Sequence, residues 1–170
     1  KIIFVSNWVK KRFFFNLDVN HKNNIQVIYN FIKPIKKFPI KKKLIIFSGK
    51  LNKSKGYKIF GESIIPILNK YQDWKAIVCG SEEREKYNFF HKRLKIMDWT
   101  EHKTLLSLYS KCSIAVVNPT WQEPFGRTAL ESSSRGCAVI TSKSGGLIET
   151  FNNNLILKKN NKNNLIKSIS

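Results

Sequence analysis

The chain has 170 residues, enough for one domain with a substantial core, and its 42% apolar content argues against intrinsic disorder. No apolar run approaches the ~20 residues of a membrane-spanning helix, and no signal-peptide pattern is present. Thirty-one basic residues against eleven acidic ones give a net charge of +20, which is typical of proteins with polyanionic partners. The lysines are spread along the whole sequence, so charge alone does not specify a function.

The cysteines predict neither disulfides nor a metal site. Their number is odd, they are far apart, and each lies in or beside an apolar run, which indicates buried thiols in a reducing compartment. The histidines lack ligand spacing. These residues are Cys79, Cys112 and Cys137, and His21, His91 and His102.

Short apolar runs alternate with helical segments along most of the chain. We predict strands over residues 44–48, 76–79, 94–97, 114–117, 138–141 and 154–157. We predict helices over residues 55–71, 83–93, 126–135, 145–149 and 162–170, and another that begins at Thr100 as its N-cap. Pro66 predicts a kink or late break, and Gly136 a helix stop. The fold class is therefore α/β, a Rossmann-like parallel sheet with helices on both faces.

The first forty-odd residues form a separate strand-helix-strand unit. Strands are predicted over residues 2–5 and 26–29, an aromatic helix over residues 7–17, and a linker around Pro34 and Pro39. We assign residues 1–42 to the end of an N-terminal domain and its linker, and residues 43–170 to the main domain. The helix could lie on a membrane surface, although packing on a neighbour is favoured. Since the only methionine is Met97, we expect a fragment of a longer protein.

The segment spanning residues 119–131 carries the most chemistry. It follows a predicted strand and enters a helix at Gly126, so the free amides of Arg127 and Thr128 can hold phosphate. Glu131 then lies on the same face as Arg127 and can accept hydrogen bonds from ribose hydroxyls. Glu123 precedes the helix and can reach the other end of the same ligand.

A second loop, residues 48–56, also follows a strand. Gly49 and Gly56 frame it, and Lys50 and Lys55 would lie near a bound diphosphate and neutralise the charge of a departing nucleoside diphosphate. No Gly-Lys-Ser/Thr ending follows, so this is not a Walker loop. The expected ligand edge is the carboxyl end of the sheet, which includes Gly80 and residues 97–98, 118–126 and 142–146.

Taken in order, these motifs resemble the C-terminal domain of the family-4 retaining glycosyltransferases, which have the GT-B fold. The resemblance rests on five motifs in this order: Ser-Gly-Lys-Leu, Lys-Gly, Pro-Thr-Trp-Gln-Glu-Pro-Phe-Gly, Gly-Cys-Ala-Val-Ile-Thr-Ser and Gly-Gly-Leu-Ile-Glu. The resemblance covers about residue 43 to the end, and the segments near Trp8 and Tyr29 are similar to the close of that family's N-terminal domain.

The resemblance implies a role for each matching position. Glu131 would bind the ribose, Lys50 and Lys55 the diphosphate, and Glu123 the donor sugar, together with the amides of Phe125 and Gly126. The first lysine is usually Arg, which loosens bidentate contact here. The implied catalytic residues are Glu123, Lys50 and Lys55. The implied donor-binding residues are Gly49, Met97 beside the base, Phe125, Gly126, Arg127, Thr128 and Glu131.

The implied activity is sugar transfer, with retention, from a UDP-, GDP- or ADP-sugar to a glycan or lipid-linked acceptor. It needs no metal or cofactor, and cell-surface polysaccharide or lipopolysaccharide assembly at the cytoplasmic face, on an anionic membrane surface, is the expected setting. Since the acceptor normally binds the N-terminal domain, this chain is expected to bind the donor without completing the reaction.

Three alternatives stay open. The first is a sugar-nucleotide epimerase or glycogen-type synthase of the same architecture. The second is a basic nucleic-acid-binding module, although the sequence offers no recognition helix or aromatic-basic strand, so nucleic acid is not an expected partner. The third is a degenerate assembly domain, against which the intact Glu123, Glu131, Lys50 and Lys55 argue.

Overall fold

The computed structural model describes residues 1–17, 24–33, 35–150 and 155–170. Predictions that fall on His21, Pro34 and Asn154 lie outside these residues. The elements, in chain order, are β1 (Ile2–Phe4), α1 (Asn7–Phe13), β2 (Ile25–Val27), β3 (Lys42–Ser48), α2 (Tyr57–Lys70), β4 (Lys75–Cys79), β5 (Leu94–Met97), α3 (His102–Lys111), β6 (Cys112–Val117), α4 (Arg127–Ser134), β7 (Ala138–Thr141), a 3-10 turn (Gly145–Glu149), β8 (Leu155–Ile156) and α5 (Lys162–Ile169).

Six strands form one parallel sheet in the order β5-β4-β3-β6-β7-β8. The chain begins this sheet at its centre with β3, builds outward to β5, and returns to the centre with β6. The winding direction therefore reverses between β3 and β6, and in open α/β sheets a crevice opens at that point beyond the carboxyl ends of the strands.

The sheet is buried on both faces, as its continuous apolar strands predict. On one face, Ile45 and Phe47 pack in a core with residues of α2 and with Leu165 of α5. On the other face, Ile46 packs with Tyr109 of α3 and Ala129 of α4, among others. The predicted fold class, a Rossmann-like parallel sheet covered by helices on both sides, is confirmed.

The predicted helix over residues 83–93 is wrong. The segment up to β5 is irregular, and from Glu85 to Phe90 its residues alternate between half-buried and exposed, as in extended chain. The rings of Tyr87 and Phe89 stack at 6.3 Å, and Phe89 also contacts the ring of Tyr57 on α2. In an extended chain, every second side chain faces the same way, so Tyr87 and Phe89 can both pack on the aromatic core. These contacts stabilise the extended conformation more than a helix with weak apolar spacing would be stabilised.

The start of one helix differs from prediction for a local reason, and another helix follows its predicted extent to within two residues. The N-cap of α3 is Glu101 rather than Thr100, whose hydroxyl instead donates to the carbonyl of Asp98 at 2.9 Å. Helix α2 continues past Pro66 to Lys70, so the proline does not end it. The guanidinium of Arg93 donates to carbonyls at the end of α2 and just beyond it, those of Leu68, Tyr71 and Trp74.

The amino-terminal unit has the predicted strand-helix-strand order, with β1 and β2 paired in parallel. Its helix is shorter than predicted and ends at Phe13. The boundary between residues 42 and 43 stays a prediction. None of the helices within the described ranges is long and apolar enough to cross a membrane.

Candidate active site

A central depression of about 340 Å³ opens where the winding direction of the sheet reverses. Its walls come from the ends of β3 and β6, the loop that follows each strand, the start of α4 and the amino-terminal segment. The lining residues are Val5, Asn30, Phe47, Ser48, Gly49, Lys55, Val116, Val117, Pro119, Glu123, Pro124, Phe125, Gly126, Arg127 and Thr128.

Two smaller depressions adjoin the central one. The β5-side depression shares Gly49 with it, and the α3-side depression shares Asn30 and Arg127. The β5-side depression is lined by Gly49, Lys50, Cys79, Gly80, Ser81, Trp99, Thr100 and Leu105. The α3-side depression is lined by Asn30, Phe31, Ile32, His102, Arg127, Leu130 and Glu131. The shared residues therefore place the three depressions side by side.

Gly49 lies between the central and β5-side depressions with a φ of +139°, a conformation that strongly favours glycine. A Cβ atom added to Gly49 would have no atom within 4 Å, so its Cα faces open space. By contrast, a Cβ on Gly80 would lie 1.8 Å from the Gly49 carbonyl oxygen. The absence of a side chain at Gly80 therefore lets the Gly49 carbonyl approach it closely. The absence of a side chain at Gly49 leaves room for a ligand on the open side of the loop.

The side chains of Lys55 and Glu123 meet in the central depression. Lys55 Nζ lies 2.8 Å from Glu123 Oε2, and both side chains are at most one-third exposed. The turn before α2 positions Lys55, whose amide donates to Asn52 Oδ1 at 3.0 Å. Trp121 contacts both partners, because its Nε1 donates to the same Glu123 oxygen at 2.8 Å and its ring lies 4.6 Å from Lys55 Nζ.

The loop that carries Glu123 is held from below by the 3-10 turn. The Gly146 amide donates to the Glu123 carbonyl at 2.8 Å. Gly145, with a φ of +58°, approaches the same carbonyl so closely that a Cβ there would lie at 2.3 Å. The hydroxyls of Ser142 and Ser144 both donate to the Pro119 carbonyl, which fixes the start of the loop.

Helix α4 points its amino terminus into the central depression. Its N-cap is Gly126, whose φ of +103° lets the chain turn directly from the loop into the helix. The amides of Arg127 and Thr128 belong to the first turn, where α-helices offer no internal acceptor. The helix therefore presents free donors and a partial positive charge to the depression. Just before the N-cap, Phe125 is buried against Tyr29, with ring centroids 5.9 Å apart.

Glu131 lies one turn into α4, on the same face as Arg127 as predicted. Its Oε1 is 3.3 Å from a guanidinium nitrogen of Arg127 and 3.3 Å from Nε2 of His102 on α3. The residue is almost fully buried, yet it lines the α3-side depression. The carboxylate is thus held in place by two basic groups, with its edge available to a ligand.

Comparison with known proteins settles the family. The model of the glycosyl transferases group 1 family matches residues 29–170. The chain belongs to this family. An uncharacterized glycosyltransferase of Methanocaldococcus jannaschii is 32% identical over 177 residues, which cover 99% of the chain and 48% of that protein. Spore coat protein SA of Bacillus subtilis is 26% identical over 68% of the chain and 35% of that protein. The chain therefore spans a third to a half of the length of these curated relatives.

Solved structures of glycosyltransferases share the fold of this group 1 chain. A Rickettsia africae glycosyltransferase superposes with a TM-score of 0.81 at 21% identity, over 99% of the chain and 52% of that protein. Anabaena Alr3699/HepE, solved in complex with UDP and glucose, superposes with a TM-score of 0.77 at 18% identity, over the same shares. The prediction of one half of a GT-B glycosyltransferase is confirmed at the level of fold and family.

Within this group 1 domain, most residues implied by the resemblance line the central depression, whereas Glu131 lines the α3-side depression and two others, Lys50 and Met97, lie elsewhere. Lys50 lines the β5-side depression rather than the central one. Met97 lines none of the three depressions: it packs against the second core cluster, and its carbonyl accepts the Gly80 amide at 3.0 Å. Trp99, two residues beyond, lines the β5-side depression instead and is 78% exposed.

Sequence reasoning missed His102 and Trp121, which touch Glu131 and Glu123. Trp121 stood inside the recognised motif, and its proximity to Glu123 in sequence was the available signal. His102 carried no signal, because its contact with Glu131 depends on how α3 packs beside α4.

The amino-terminal segment of this group 1 family chain is attached directly to the site. The Ser6 hydroxyl donates to the Pro124 carbonyl at 2.7 Å. The carboxylate of Glu149 accepts the amides of Asn7 and Trp8, at 2.8 and 2.7 Å, and the Tyr29 hydroxyl at 3.0 Å. Partial burial works to raise the pKa of the Glu149 carboxyl, but these hydrogen bonds outweigh it and hold the pKa below its usual value.

Proposed function

We propose that the chain binds a nucleotide-sugar donor and forms the donor half of a retaining glycosyltransferase. The acceptor would be a glycan or lipid-linked sugar in cell-surface polysaccharide or lipopolysaccharide assembly at the cytoplasmic side of a membrane. The observation that carries the proposal is the paired Lys55 and Glu123 in a depression that also receives the amino terminus of α4.

The diphosphate of the donor fits the central depression. The first-turn amides of Arg127 and Thr128 supply hydrogen-bond donors, and the helix dipole favours an anion there. Lys55, which lines the same depression, adds an ammonium group that is ion-paired with Glu123. These groups would stabilise the negative charge that develops on the leaving nucleoside diphosphate, which is the work that a metal ion does in other transferases.

The ribose fits the α3-side depression. The carboxylate of Glu131 can accept hydrogen bonds from vicinal hydroxyls, and His102 and Arg127 keep it oriented while leaving it at the wall. Buried carboxylates need such partners, because an unpaired buried charge is costly. The preorganised carboxylate would therefore select a sugar hydroxyl pair without first having to be ordered by the ligand.

The base and the transferred sugar occupy the remaining walls. The β5-side depression offers the exposed ring of Trp99 for stacking and Lys50 at its edge. Glu123, with the amides of Phe125 and Gly126, faces the part of the central depression where the sugar would lie. The Anabaena structure with UDP and glucose supports this assignment through its shared fold and nothing finer.

A ligand titration tests the binding part of the proposal. We expect one of UDP, GDP or ADP to raise the melting temperature of the chain, with about 2.7 kcal/mol of stabilisation at a hundredfold excess over its dissociation constant. Glu131→Gln should abolish the shift. Glu101→Gln is the matched control, because Glu101 is exposed and lines none of the three depressions. No shift with any nucleotide, alongside salt-sensitive binding to random DNA, would favour the nucleic-acid alternative.

The transfer part needs the full-length protein. When the donor sugar is α-linked, proton NMR during the reaction should show that the first product formed is the α-anomer. A β-anomeric first product would refute retention. Release of a free epimerised sugar nucleotide, with no transfer to any acceptor, would identify an epimerase.

A further inference from the structure

Trp121 lies beside the central depression without lining it, and it contacts the two side chains that the proposed function places on the donor. Its indole Nε1 donates to Glu123 Oε2 at 2.8 Å, and its ring lies 4.6 Å from Lys55 Nζ. We propose that Trp121 is a positioning residue, which holds Lys55 and Glu123 as a preassembled pair for the diphosphate and the transferred sugar. This inference rests on the proposed function.

The contacts explain why a third group is needed. Lys55 and Glu123 are 68 residues apart in sequence and are carried by different loops. Long lysine and glutamate side chains lose considerable rotamer freedom when they are held in one geometry. The indole restricts both at once, because a donated hydrogen bond fixes the carboxylate and the ring face attracts the ammonium.

The indole also decides which carboxylate oxygen is available. Both Lys55 and Trp121 donate hydrogen bonds to Oε2 of Glu123, and none of the described residues donates a hydrogen bond to Oε1. Oε1 is therefore the oxygen left to accept a hydroxyl of the sugar. Without the indole N–H, the carboxylate could rotate, and either of its oxygens could then face the Lys55 ammonium or the sugar.

Three side chains at position 121 separate the two contacts. Trp121→Phe keeps an aromatic face for Lys55 but removes the N–H, and Trp121→Leu removes both. Trp121 is 44% exposed, so neither change should prevent folding. Phe90→Leu is the control for loss of an exposed aromatic ring, since Phe90 is 90% exposed and lines none of the three depressions.

Amine labelling tests the positioning without any ligand. Brief acetylation followed by mass spectrometry reports the reactivity of Lys55 relative to Lys50, a neighbour that forms no ion pair within the described ranges. We expect the Lys55-to-Lys50 ratio to rise about threefold in Trp121→Leu, less in Trp121→Phe, and not at all in Phe90→Leu. An unchanged ratio in Trp121→Leu would overturn the proposal.

Binding of UDP and UDP-glucose tests the functional consequence. We expect the UDP affinity of Trp121→Leu to stay within about threefold of the parent chain, while any advantage of UDP-glucose over UDP falls about tenfold. With the full-length protein, the KM for UDP-glucose should rise in the order Trp, Phe, Leu, and kcat should fall in the same order. Equal loss of UDP and UDP-glucose binding would show that the indole affects only the nucleotide, and would refute its role in positioning Glu123 for the sugar. Failure of the parent chain to bind any nucleotide would instead refute the proposed function, and the labelling result would be unaffected.

Discussion

Glu149 and Trp8 are 141 residues apart in sequence, yet a carboxylate oxygen of Glu149 accepts the backbone amide of Trp8 at 2.7 Å. The amide of Asn7 donates to the other oxygen at 2.8 Å, so the carboxylate closes the first turn of α1. An anion at this position also interacts favourably with the helix dipole. The N-cap of α1 is Ser6, whose hydroxyl accepts the Val9 amide at 3.1 Å. The 3-10 turn adds to this cap a negative charge that the first turn of α1, where acidic residues are absent, does not itself supply.

Glu149→Gln should loosen this attachment. A neutral amide accepts fewer and weaker hydrogen bonds than a carboxylate, and hydrogen bonds to charged groups contribute about 1.5–3 kcal/mol. We expect amide hydrogen exchange at Asn7 and Trp8 to accelerate about tenfold. NMR exchange measurements on the variant, with Glu101→Gln as control, check this. Unchanged protection of both amides would show that the contact adds nothing.

Acidification should have the same effect as that substitution. Because the folded-state pKa of Glu149 is lowered, its contribution to stability is complete above the unfolded pKa and is lost as pH falls through the folded pKa. The difference in free energy of unfolding between the parent chain and Glu149→Gln should therefore shrink between neutral pH and about pH 3. Urea unfolding across this range measures it. A difference that persists at the acid end would contradict the assignment.

Gly49 and Gly80 should respond differently to alanine. Alanine at Gly49 meets an unfavourable φ but no neighbouring atom, so we expect a stability loss of about 1–3 kcal/mol together with loss of nucleotide binding. Alanine at Gly80 would collide with the Gly49 carbonyl and should cost about 3 kcal/mol or more. Urea unfolding and UDP titration of both variants check this. Full UDP binding by Gly49→Ala would show that the ligand does not approach this loop.

The three cysteines should resist alkylation in the folded chain. All are buried, and burial raises the pKa of Cys79, of Cys137 to about 11 and of Cys112 to about 12. Since the thiolate is the reactive form, iodoacetamide should modify them only after unfolding. Mass spectrometry after labelling with and without urea measures this. Rapid native labelling of any one of them would show that it is accessible to solvent.

The sheet could be predicted because buried parallel strands carry their signal locally. Residues such as Ile45, Ile46 and Phe47 must be apolar on both faces, whichever helices cover them. The segment that contains Tyr87 and Phe89 could not be predicted in the same way. Its conformation depends on the ring of Tyr57 on α2, which is distant in sequence, and a local pattern does not contain that information.

The candidate site was partly predictable for a related reason. Glu123, Arg127 and Glu131 follow one another through a loop and a helix, so their spacing alone places them near each other. His102 reaches the same site only through the packing of α3 on α4, and Met97 was assigned from the resemblance rather than from its own surroundings. Positions fixed by one turn of chain, or by the common edge at which parallel strands end, as for Lys55, were predictable. Positions fixed by how one helix packs on another were not.

The hydrogen bond from Ser6 to Pro124 has a thermodynamic consequence. It joins the amino-terminal segment to the loop that also carries Glu123 and Phe125. Suppose that a ligand binds more tightly when this hydrogen bond holds the amino-terminal segment on the loop. Linkage then requires that the bound ligand stabilise the attachment of the segment by the same factor. Ligand binding in the depression and attachment of the amino-terminal segment are then thermodynamically coupled, so that a measurement of either one reports on the other.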